Sequence, residues 1–333
     1  MRQKIRLIFS AISVAALLIV LSLSTVNAAS VSNNSITSNG NGYRISPVIT
    51  SLTINPGNSA NVQVYMTDIS TSPENLQIVF DDFQAKDENG TPGLLLSGQS
   101  LPRHGLKQYA ILPTGNLTLN PGETKSVFVT IKIPKNAVAG GYYGAVRFSP
   151  ASINGQKNVN LAASVGSLIL VKVPGNIYEN VSIAGFGAAR GTQTRSIFFG
   201  NNKINAIARF RNNGDIQEQP FGKILLKKGN TTLSSYEINN TEPRGNVLPD
   251  SIRRFSVNLT NLGNLGKYTL EGNFGYGSNG QLISATSTFY IVPLWLVILV
   301  IILIILIILA IYVFPKLVRR HDRRILRRAK RGR

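Results

Sequence analysis

The chain has 333 residues, a formal net charge of +20 and no cysteine. Without cysteine it has no disulfide, thiol nucleophile or cysteine-ligated metal site, so a secreted form would depend on core burial for stability. The charge is concentrated at the two ends, with +3 in residues 1–28 and +9 in residues 316–333. The mildly basic remainder gives no reason to expect a nucleic-acid partner and is compatible with weak attraction to anionic polymers.

The first 28 residues have the pattern of a secretory signal peptide. Three basic side chains precede an apolar run over 12–23, and the small-residue sequence Val26-Asn27-Ala28 follows it. We predict cleavage after Ala28. The alternative is an uncleaved membrane anchor, although the apolar run is short of a full bilayer span.

The next segment, residues 29–42, is polar and low in complexity, as expected of a flexible spacer. From Tyr43 onward, apolar and polar residues alternate in short segments that Gly, Pro, Asn and Asp interrupt. In ETKSVFVTIKIP, at 123–134, Val127 and Val129 fall on one face of an extended chain. This period of two predicts antiparallel strands with one buried face.

One short turn sequence occurs twice, as LTINPG at 52–57 and LTLNPG at 117–122. Proline at the second turn position and glycine at the third suit a tight turn that leads into a strand. We predict that the two copies begin two strands of one β-sandwich. Coincidence is the alternative, because Asn-Pro-Gly is common turn chemistry.

Two pairs of longer segments have similar patterns and predict a repeated domain; we call these pairs the longer echoes. Segments 62–80 and 207–226 share a strand, a polar turn and another strand, and segments 119–148 and 247–276 share a turn, a strand and a closing hairpin. The predicted fold is therefore all-β, with two tandem immunoglobulin-like β-sandwich domains followed by a single transmembrane α-helix. The predicted domains, divided at Pro174-Gly175, are 43–174 and 175–292.

Residues 294–314 contain no charge and lie between Pro293 and Pro315. Twenty-one such residues are enough to cross a bilayer as a helix, so we predict a transmembrane segment over 293–315. Trp295 and Tyr312 stand where interfacial aromatic side chains are found.

The basic tail at 316–333 sets the predicted orientation. Lysine and arginine clusters stay on the cytoplasmic side, which places the rest of the mature chain outside a plasma membrane crossed once. Lys316, Arg319 and Arg320 would contact anionic headgroups at that interface, and this explanation is preferred to a nucleic-acid-binding tail.

Catalytic and metal-binding chemistry is sparse in the predicted ectodomain. His104 has no second histidine near it and no cysteine, so we interpret it as a solvated loop residue rather than a zinc ligand. The two acidic pairs, Asp81-Asp82 and Asp87-Glu88, lack the loop spacing of a recognised calcium site. We therefore interpret them as ordinary turn carboxylates, with calcium binding as the alternative.

No nucleophile motif and no phosphate-binding glycine loop accompanies these residues. GFGAARG, at 185–191, departs from the dinucleotide pattern and is interpreted as a loop. The prediction is a non-enzyme with no catalytic, cofactor-binding or metal-binding residue, no cofactor and no small-molecule substrate.

The segments LTLNPGETKSVFVTIKIPKNAVAGGYYGAVRF, RNNGDIQEQPFGKILL and LPDSIRRF, followed by a span and a basic tail, resemble a known layout. It is similar to that of the WxL-interacting surface proteins of Gram-positive bacteria, which have a signal peptide, two immunoglobulin-like domains and a C-terminal anchor. The resemblance implies an outer domain that binds peptidoglycan and an inner domain that binds a partner surface protein. No site residue is carried over from it.

Three functional hypotheses follow from the sequence. The first is a non-catalytic, membrane-anchored protein that binds cell-wall polymer or another surface protein. The second is a membrane-tethered chaperone or assembly factor that offers a strand or an exposed edge to a secreted client. The third, a wall hydrolase, would need two carboxylates facing each other across a cleft.

Overall fold

The computed structural model describes residues 42–96, 103–150 and 165–313. The described residues are mostly β-strand and form four sheets and a C-terminal helix. Two sheets enclose one hydrophobic core and the other two enclose a second core. We call the two resulting sandwiches the first lobe and the second lobe.

The first lobe is built from ten strands in the described chain: β1 (Tyr43–Ser46), β2 (Ile49–Thr53), β3 (Ser59–Asp68), β4 (Glu74–Ala85), β5 (Pro92–Leu95), β6 (Ala110–Ile111), β7 (Asn116–Leu119), β8 (Thr124–Lys132), β9 (Gly140–Pro150) and β10 (Val165–Val173). One sheet has the order β1-β3-β8-β6, and the other has the order β2-β10-β9-β4-β5 with β7 also paired to β4. A short 3-10 turn, Lys107–Tyr109, precedes β6.

The two Asn-Pro-Gly turns lie at opposite ends of the antiparallel pair β3 and β8. The Gly57 N–H donates to the Ile133 carbonyl (3.0 Å), and the Gly122 N–H donates to the Asp68 carbonyl (2.9 Å). Both glycines have positive φ, 86° and 79°, which a side chain would disfavour. Each turn thus starts one strand and bonds to the end of the other, which confirms that the two copies begin two paired strands of one sheet.

The alternating pattern of β8 confirms the predicted faces of that strand. Val127 and Val129 are buried, whereas Phe128 is 54% exposed. Val129 pairs with Val62 of β3, and both belong to the same core cluster as Phe148 of β9. Burying apolar side chains of this size stabilises the lobe by about 1.5–3 kcal/mol each.

The second lobe is built from nine strands in the same described residues: β11 (Val181–Arg190), β12 (Gln193–Thr194), β13 (Ile197–Phe199), β14 (Asn205–Asn212), β15 (Phe221–Lys228), β16 (Thr231–Ile238), β17 (Ile252–Asn258), β18 (Gly266–Tyr276) and β19 (Gln281–Val292). The sheet orders are β12-β11-β14-β17 and β13-β19-β18-β15-β16.

One sheet has the same strand order in both lobes, because β13-β19-β18-β15-β16 repeats the path β2-β10-β9-β4-β5. In each lobe the last strand pairs antiparallel with its predecessor and parallel with a short early strand, β2 beside β10 and β13 beside β19. The longer sequence echoes fall on equivalent strands. Segments 62–80 and 207–226 cover β3–β4 and β14–β15, and segments 119–148 and 247–276 cover β8–β9 and β17–β18.

The glycine-containing segment 185–191 is largely a strand, so the interpretation as a loop was wrong. It belongs to β11, which carries an irregularity between Ile183 and Gly185. At Gly187 a Cβ would lie 2.8 Å from the Ser287 hydroxyl of β19. Glycine at this position therefore lets the two sheets approach closely without ending the strand.

The C-terminal helix α1 comprises Leu294–Tyr312, and it is the one helix among the described residues that is long and apolar enough to cross a membrane. Nineteen residues give a length of about 28 Å, close to the ~30 Å thickness of the hydrocarbon core. Pro293 is extended and separates Val292, the end of β19, from the first helical residue.

Several predictions concern parts of the chain outside the described residues. These are the signal peptide with its cleavage site at Ala28, all but the last residue of the spacer, and the basic tail with Lys316, Arg319 and Arg320.

Candidate functional site at the junction of the two lobes

The lobes meet over the outer face of the sheet that contains β9. Phe83, Tyr143, Ala145 and Leu170 form a buried cluster on this face, and Leu248 of the second lobe packs against it. Ten of the eleven residues of β9 are consequently buried, because one face of the strand lines the core of the first lobe and the other meets the second lobe. Apolar burial therefore holds the lobes together.

Hydrogen bonds fix the alignment of the lobes. The Tyr143 hydroxyl donates to Oε1 of Gln217 (2.8 Å) and accepts the Gln217 main-chain N–H (2.7 Å). Burial raises the pKa of the Tyr143 phenol, which keeps it neutral and able to donate. The Gly141 N–H donates to the Asp215 carbonyl (2.8 Å), and Arg103 lies 3.1 Å from the Asp215 carboxylate.

Glu88 links the turn between β4 and β5 to the second lobe. Its Oε2 accepts a hydrogen bond from the Nε–H group of Arg209 (2.8 Å) and lies 3.8 Å from Nη1 of Arg254. The Arg254 main-chain N–H donates to the Glu88 carbonyl (2.6 Å), and its guanidinium donates to Oδ1 of Asn89 (2.5 Å). These contacts assign Glu88 to the junction between the lobes.

Asp81 and Asp82 lie on β4 and are buried, so the expectation of ordinary turn carboxylates was wrong for this pair. Oδ2 of Asp81 accepts a hydrogen bond from the Nε–H group of Arg147 (2.9 Å). Oδ1 of Asp82 accepts the Lys107 main-chain N–H (2.7 Å), and burial raises the pKa of the Asp82 carboxyl. The reason for the difference is that β4 extends through both residues. Arg147 compensates for the buried Asp81 carboxylate, whereas Oδ2 of Asp82 is buried without a hydrogen-bond partner.

Asp87 does behave as a turn carboxylate. Its Oδ1 accepts the N–H groups of Asn89 (2.8 Å) and Thr91 (3.3 Å), and hydrogen bonding to Asn89 lowers the pKa of Asp87. In the part of the chain that the structure covers, no group of three or more His, Asp or Glu side chains is arranged to hold a metal ion.

His104 is half buried at the junction, in contrast to the solvated position expected of it. Its Nδ1 is 2.8 Å from the Gly141 carbonyl, its ring packs against Tyr142 and Tyr143, and its Nε2 is buried without a hydrogen-bond partner. The Tyr143 N–H donates to the His104 carbonyl (2.8 Å), which pulls this segment against β9. Together with Leu248, the ring lines a small cavity of about 150 Å³.

A groove between the lobes follows β2. Its first part is mainly apolar, has a volume of about 70 Å³, and includes Arg253 in its lining. The apolar side chains are Ile49, Phe83, Leu168, Leu170, Leu248 and Ile252.

The second part of the groove is polar and larger, about 370 Å³. Asn246 lines both parts, so they adjoin. The first lobe contributes Ser51 and Lys172 to the polar part. The second lobe contributes charged side chains of both signs: Glu179, Glu218 and Arg244.

Glu218 is the most perturbed carboxyl group in this polar part. It is 4% exposed, and its Oε2 accepts the Gly277 N–H (3.0 Å). Glu179 accepts the neighbouring Ser278 N–H (2.8 Å), so the two carboxylates share one turn. Burial, and secondarily the charge of Glu179, raise the pKa of Glu218 to about 7. The charge of the groove therefore changes near neutral pH.

The main chain of β2 offers hydrogen-bonding groups to the groove. The Val48 carbonyl accepts the Leu168 N–H (2.8 Å), and the Ile54 N–H donates to the Lys172 carbonyl (3.0 Å). In the parallel ladder between β2 and β10, alternate residues of β2 face β10. Among the described strands β10 is the one partner of β2, so three residues present their main-chain groups outward: Ile49, Ser51 and Thr53.

The predicted interfacial aromatics lie at opposite ends of α1. Trp295 is 62% exposed in the first turn, and Tyr312, the last helical residue, is 66% exposed. Neither belongs to the junction groove.

The groove was not predicted from the sequence, although one feature of the sequence indicates it. The segment LILVKV of β10 is almost continuously apolar, which is typical of a strand buried on both faces. Leu168 and Leu170 would have been the residues to choose, because they occupy the face opposite the core residues Ile169 and Val171.

Comparison with known proteins gives neither a family nor a close relative. No protein-family model and no curated protein matches the chain.

Solved structures that resemble the chain include several chaperones. The class 5 fimbriae chaperone CfaA is 14% identical, with a TM-score of 0.36, and 76% of this chain aligns with 100% of that chain. The YadV chaperone is 11% identical over 74% of this chain and 99% of that chain, with a TM-score of 0.34.

The CsuC-CsuE chaperone-tip adhesion subunit pre-assembly complex of Acinetobacter baumannii also resembles the chain. It gives 12% identity over 73% of this chain and 97% of that chain, with a TM-score of 0.32. At such scores neither the fold nor a function follows from the likeness.

Proposed function

We propose that this protein is a non-catalytic, membrane-anchored cell-surface protein that holds an extended segment of a partner surface protein in the junction groove. The observation that carries the proposal is the outward-facing edge of β2, which runs along the place where the two lobes meet. An extended peptide can add to such an edge through main-chain hydrogen bonds, while pockets beside the edge select its side chains.

The lining of the groove fits a segment that carries both apolar and charged side chains. Ile49 is 47% exposed above the apolar part, where Leu168 and Leu248 form the walls. In the polar part, Lys172 and Arg244 can pair with partner carboxylates, and Glu179 can pair with a partner cation.

The proposal also includes the domain organisation, the membrane crossing and the orientation of the chain. The lobes are immunoglobulin-like domains 43–174 and 175–292, the helix crosses the plasma membrane once, and the tail at 316–333 lies in the cytoplasm. The resemblance to the WxL-interacting surface proteins supports a surface-protein partner. Cell-wall polymer is the other ligand that the resemblance implies, and it is distinguished from a protein by the experiment below.

The test is photo-crosslinking in intact cells. Benzoylphenylalanine replaces Ile49 in the full chain, and a matched control carries it at Phe128, which is 54% exposed on the opposite sheet of the first lobe. We expect a discrete, protease-sensitive adduct from position 49 and none from position 128. A product that a muramidase removes would instead identify wall polymer as the ligand.

A second pair of variants tests the main-chain contact. Ser51→Pro removes an outward N–H while leaving the bonds to β10 intact, and Ser51→Ala keeps that N–H. We expect the proline variant to abolish the adduct and the alanine variant to retain it. Equal adducts from both variants would contradict strand addition.

An assembly chaperone is the second candidate, and the same free edge of β2 favours it. The two functions differ in how long the partner stays. Crosslinking after protein synthesis has been stopped separates them, because a chaperone releases its clients and the adduct fades, whereas a surface scaffold keeps its partner.

A further inference from the structure

The second lobe continues into the membrane helix almost without a linker. Val292 is the last residue of β19, and Leu294 is the first residue of α1. Pro293 between them is buried, and its carbonyl accepts the Leu296 N–H (3.1 Å). Only one residue separates the strand from the helix. The side chains around Val292 must therefore lie close to the membrane surface that α1 enters.

Exposed apolar side chains surround this point. Phe199 of β13 pairs with Val292 and is 51% exposed. Leu265, immediately before β18, is 53% exposed. Two residues farther from the helix, Ile197 of β13 pairs with Tyr290 of β19, and they are 55% and 43% exposed. We call these four residues, Ile197, Phe199, Leu265 and Tyr290, the collar.

The collar is confined to the end of the lobe that adjoins α1. Farther from the helix, the same face of β18 and β19 carries Thr286, Thr288, Thr269 and Glu271. Isolated exposed apolar residues are common on soluble proteins, but a cluster at one position marks a contact surface.

The charges around the collar are basic. Lys203 lies in the loop after β13, Lys228 ends β15 with its ammonium 5.6 Å from the ring of Tyr268, and Lys267 pairs with Tyr290. All three lysines are exposed, and none of them takes part in a salt bridge within the described residues.

Acidic side chains of the second lobe lie elsewhere. Glu179 and Glu218 are at the junction with the first lobe, Glu237 is next to Lys223, and Glu271 pairs with Lys227 in mid-sheet. The end beside α1 therefore combines exposed apolar side chains with unpaired cations.

We propose that the collar and Lys203, Lys228 and Lys267 form a lipid-binding face that seats the second lobe on a bilayer containing anionic phospholipids. The collar enters the interfacial region, and the three ammonium groups bind headgroup phosphates. This inference rests on the proposed membrane anchoring by α1. Its consequence is that the lobe has a fixed contact with the surface instead of turning freely on the helix.

The experiment uses the full chain in lipid nanodiscs. Since the chain has no cysteine, a single Leu265→Cys substitution can carry an environment-sensitive fluorophore, and Leu282→Cys is the matched control. Leu282 is 82% exposed at the other end of β19, about 33 Å from Val292 along the strand. Brominated phosphatidylglycerol in the disc quenches a label that reaches the lipid.

The expected result is several-fold stronger quenching at position 265 than at position 282. Equal, weak quenching in protein that has entered the discs would overturn the lipid-binding face while leaving the anchor intact. Protein that does not enter the discs would overturn both proposals. Contact between labels on two chains, without quenching by lipid, would show that a second copy covers the collar and would also overturn the proposal.

The lysines are tested by reversing their charge in the Leu265→Cys background. We expect Lys203→Glu, Lys228→Glu and Lys267→Glu together to lose most of the quenching at position 265 in phosphatidylglycerol discs. The matched control reverses an equal number of charges in the first lobe, at Lys86, Lys132 and Lys135, and should not change it. Equal effects of the two sets would show that only net charge matters and would overturn the assignment of these lysines.

Discussion

The strands β2 and β13 occupy the same place in the two lobes, yet they face different surroundings. Each is short and lies parallel to the last strand of its lobe. The outer side of β2 faces the groove between the lobes, where Ile49 and Ser51 are among the lining residues. The outer side of β13 presents Ile197 and Phe199 next to the start of α1.

This difference shows how one strand arrangement serves two contacts. The strand order of one sheet is common to the lobes, but the neighbour of each edge is set by where the chain continues. After β10 the chain enters a second lobe, which covers the outer face of the first, and after β19 it enters α1. The same edge position thus becomes a proposed partner site in one lobe and a proposed lipid site in the other.

The largest expected effect follows from deleting α1, the helix that begins beside β13. Deletion of 293–333 should release the protein entirely into the medium, because the one described helix able to span a membrane is lost. Immunoblotting of medium and membrane fractions measures this. A control that ends after Val313 keeps α1 and should remain with the membrane. Retention of the longer deletion would mean that another segment, such as an uncleaved signal sequence, anchors the chain.

A core substitution in the first lobe tests the packing around β9. In Gly144→Ala the new Cβ would lie 2.2 Å from the Phe80 ring, which should lower the free energy of unfolding by about 1–3 kcal/mol. Gly275→Ala in β18 is the control, because its nearest neighbours are at 3.8 Å. Urea unfolding followed by tyrosine fluorescence provides the measurement. Unchanged stability of Gly144→Ala would contradict the packing around β9.

The pH dependence of stability tests the polar part of the groove. Burial raises the pKa of Glu218 to about 7 from its ordinary value of 4.5, so the folded chain binds more protons than the unfolded chain between these values. Stability should therefore fall as the pH rises through this window, by about 3 kcal/mol, and should stay level above it.

The variant Glu218→Gln should remove this decline, whereas Glu237→Gln, at a half-exposed salt bridge, should retain it. Urea unfolding at several pH values distinguishes the two. A decline of the same size in both variants would show that another group is responsible.

The smallest expected effect concerns the ion pairs across the junction. Glu88→Gln removes the charge that Arg209 and Arg254 share, at a partly exposed site, so the loss should be under about 1 kcal/mol. Glu123→Gln, which weakens a surface pair with Lys125 inside the first lobe, is the control. We expect the unfolding transitions of the two lobes to stay coincident in both variants, because apolar burial at the junction holds the lobes together. Separate transitions in Glu88→Gln alone would assign the coupling of the lobes to this ion pair.

Much of the strand plan could be predicted from the sequence, because periodicity and turn chemistry are local. The alternation around Val127 and Val129 identified β8, and the repeated Asn-Pro-Gly turns located the starts of β3 and β8. The longer echoes matched equivalent strands of the two lobes. These features depend on residues that are close in the chain.

The junction could not be predicted in the same way, since it depends on how loops of the second lobe fold. The buried Asn212 side chain donates to the carbonyls of Ile216 (2.6 Å) and Val247 (2.8 Å) and so joins the two loops that face the first lobe. A single asparagine carries no periodic signal. For the same reason, the sequence around Glu88 and His104 is that of ordinary loop residues, although both lie at the junction in the structure.

The continuous path from β19 into α1 has a mechanical consequence. A pull exerted by a bound partner against the membrane would enter the second lobe at Val292, along the axis of a strand flanked there by β13 and β18. Hydrogen bonds of an antiparallel ladder lie across the strand direction, so this load shears many bonds at once instead of opening them one after another. Single-molecule pulling through residue 293 should therefore meet high resistance, and a surface tether joined in this way would bear tension without loss of its fold.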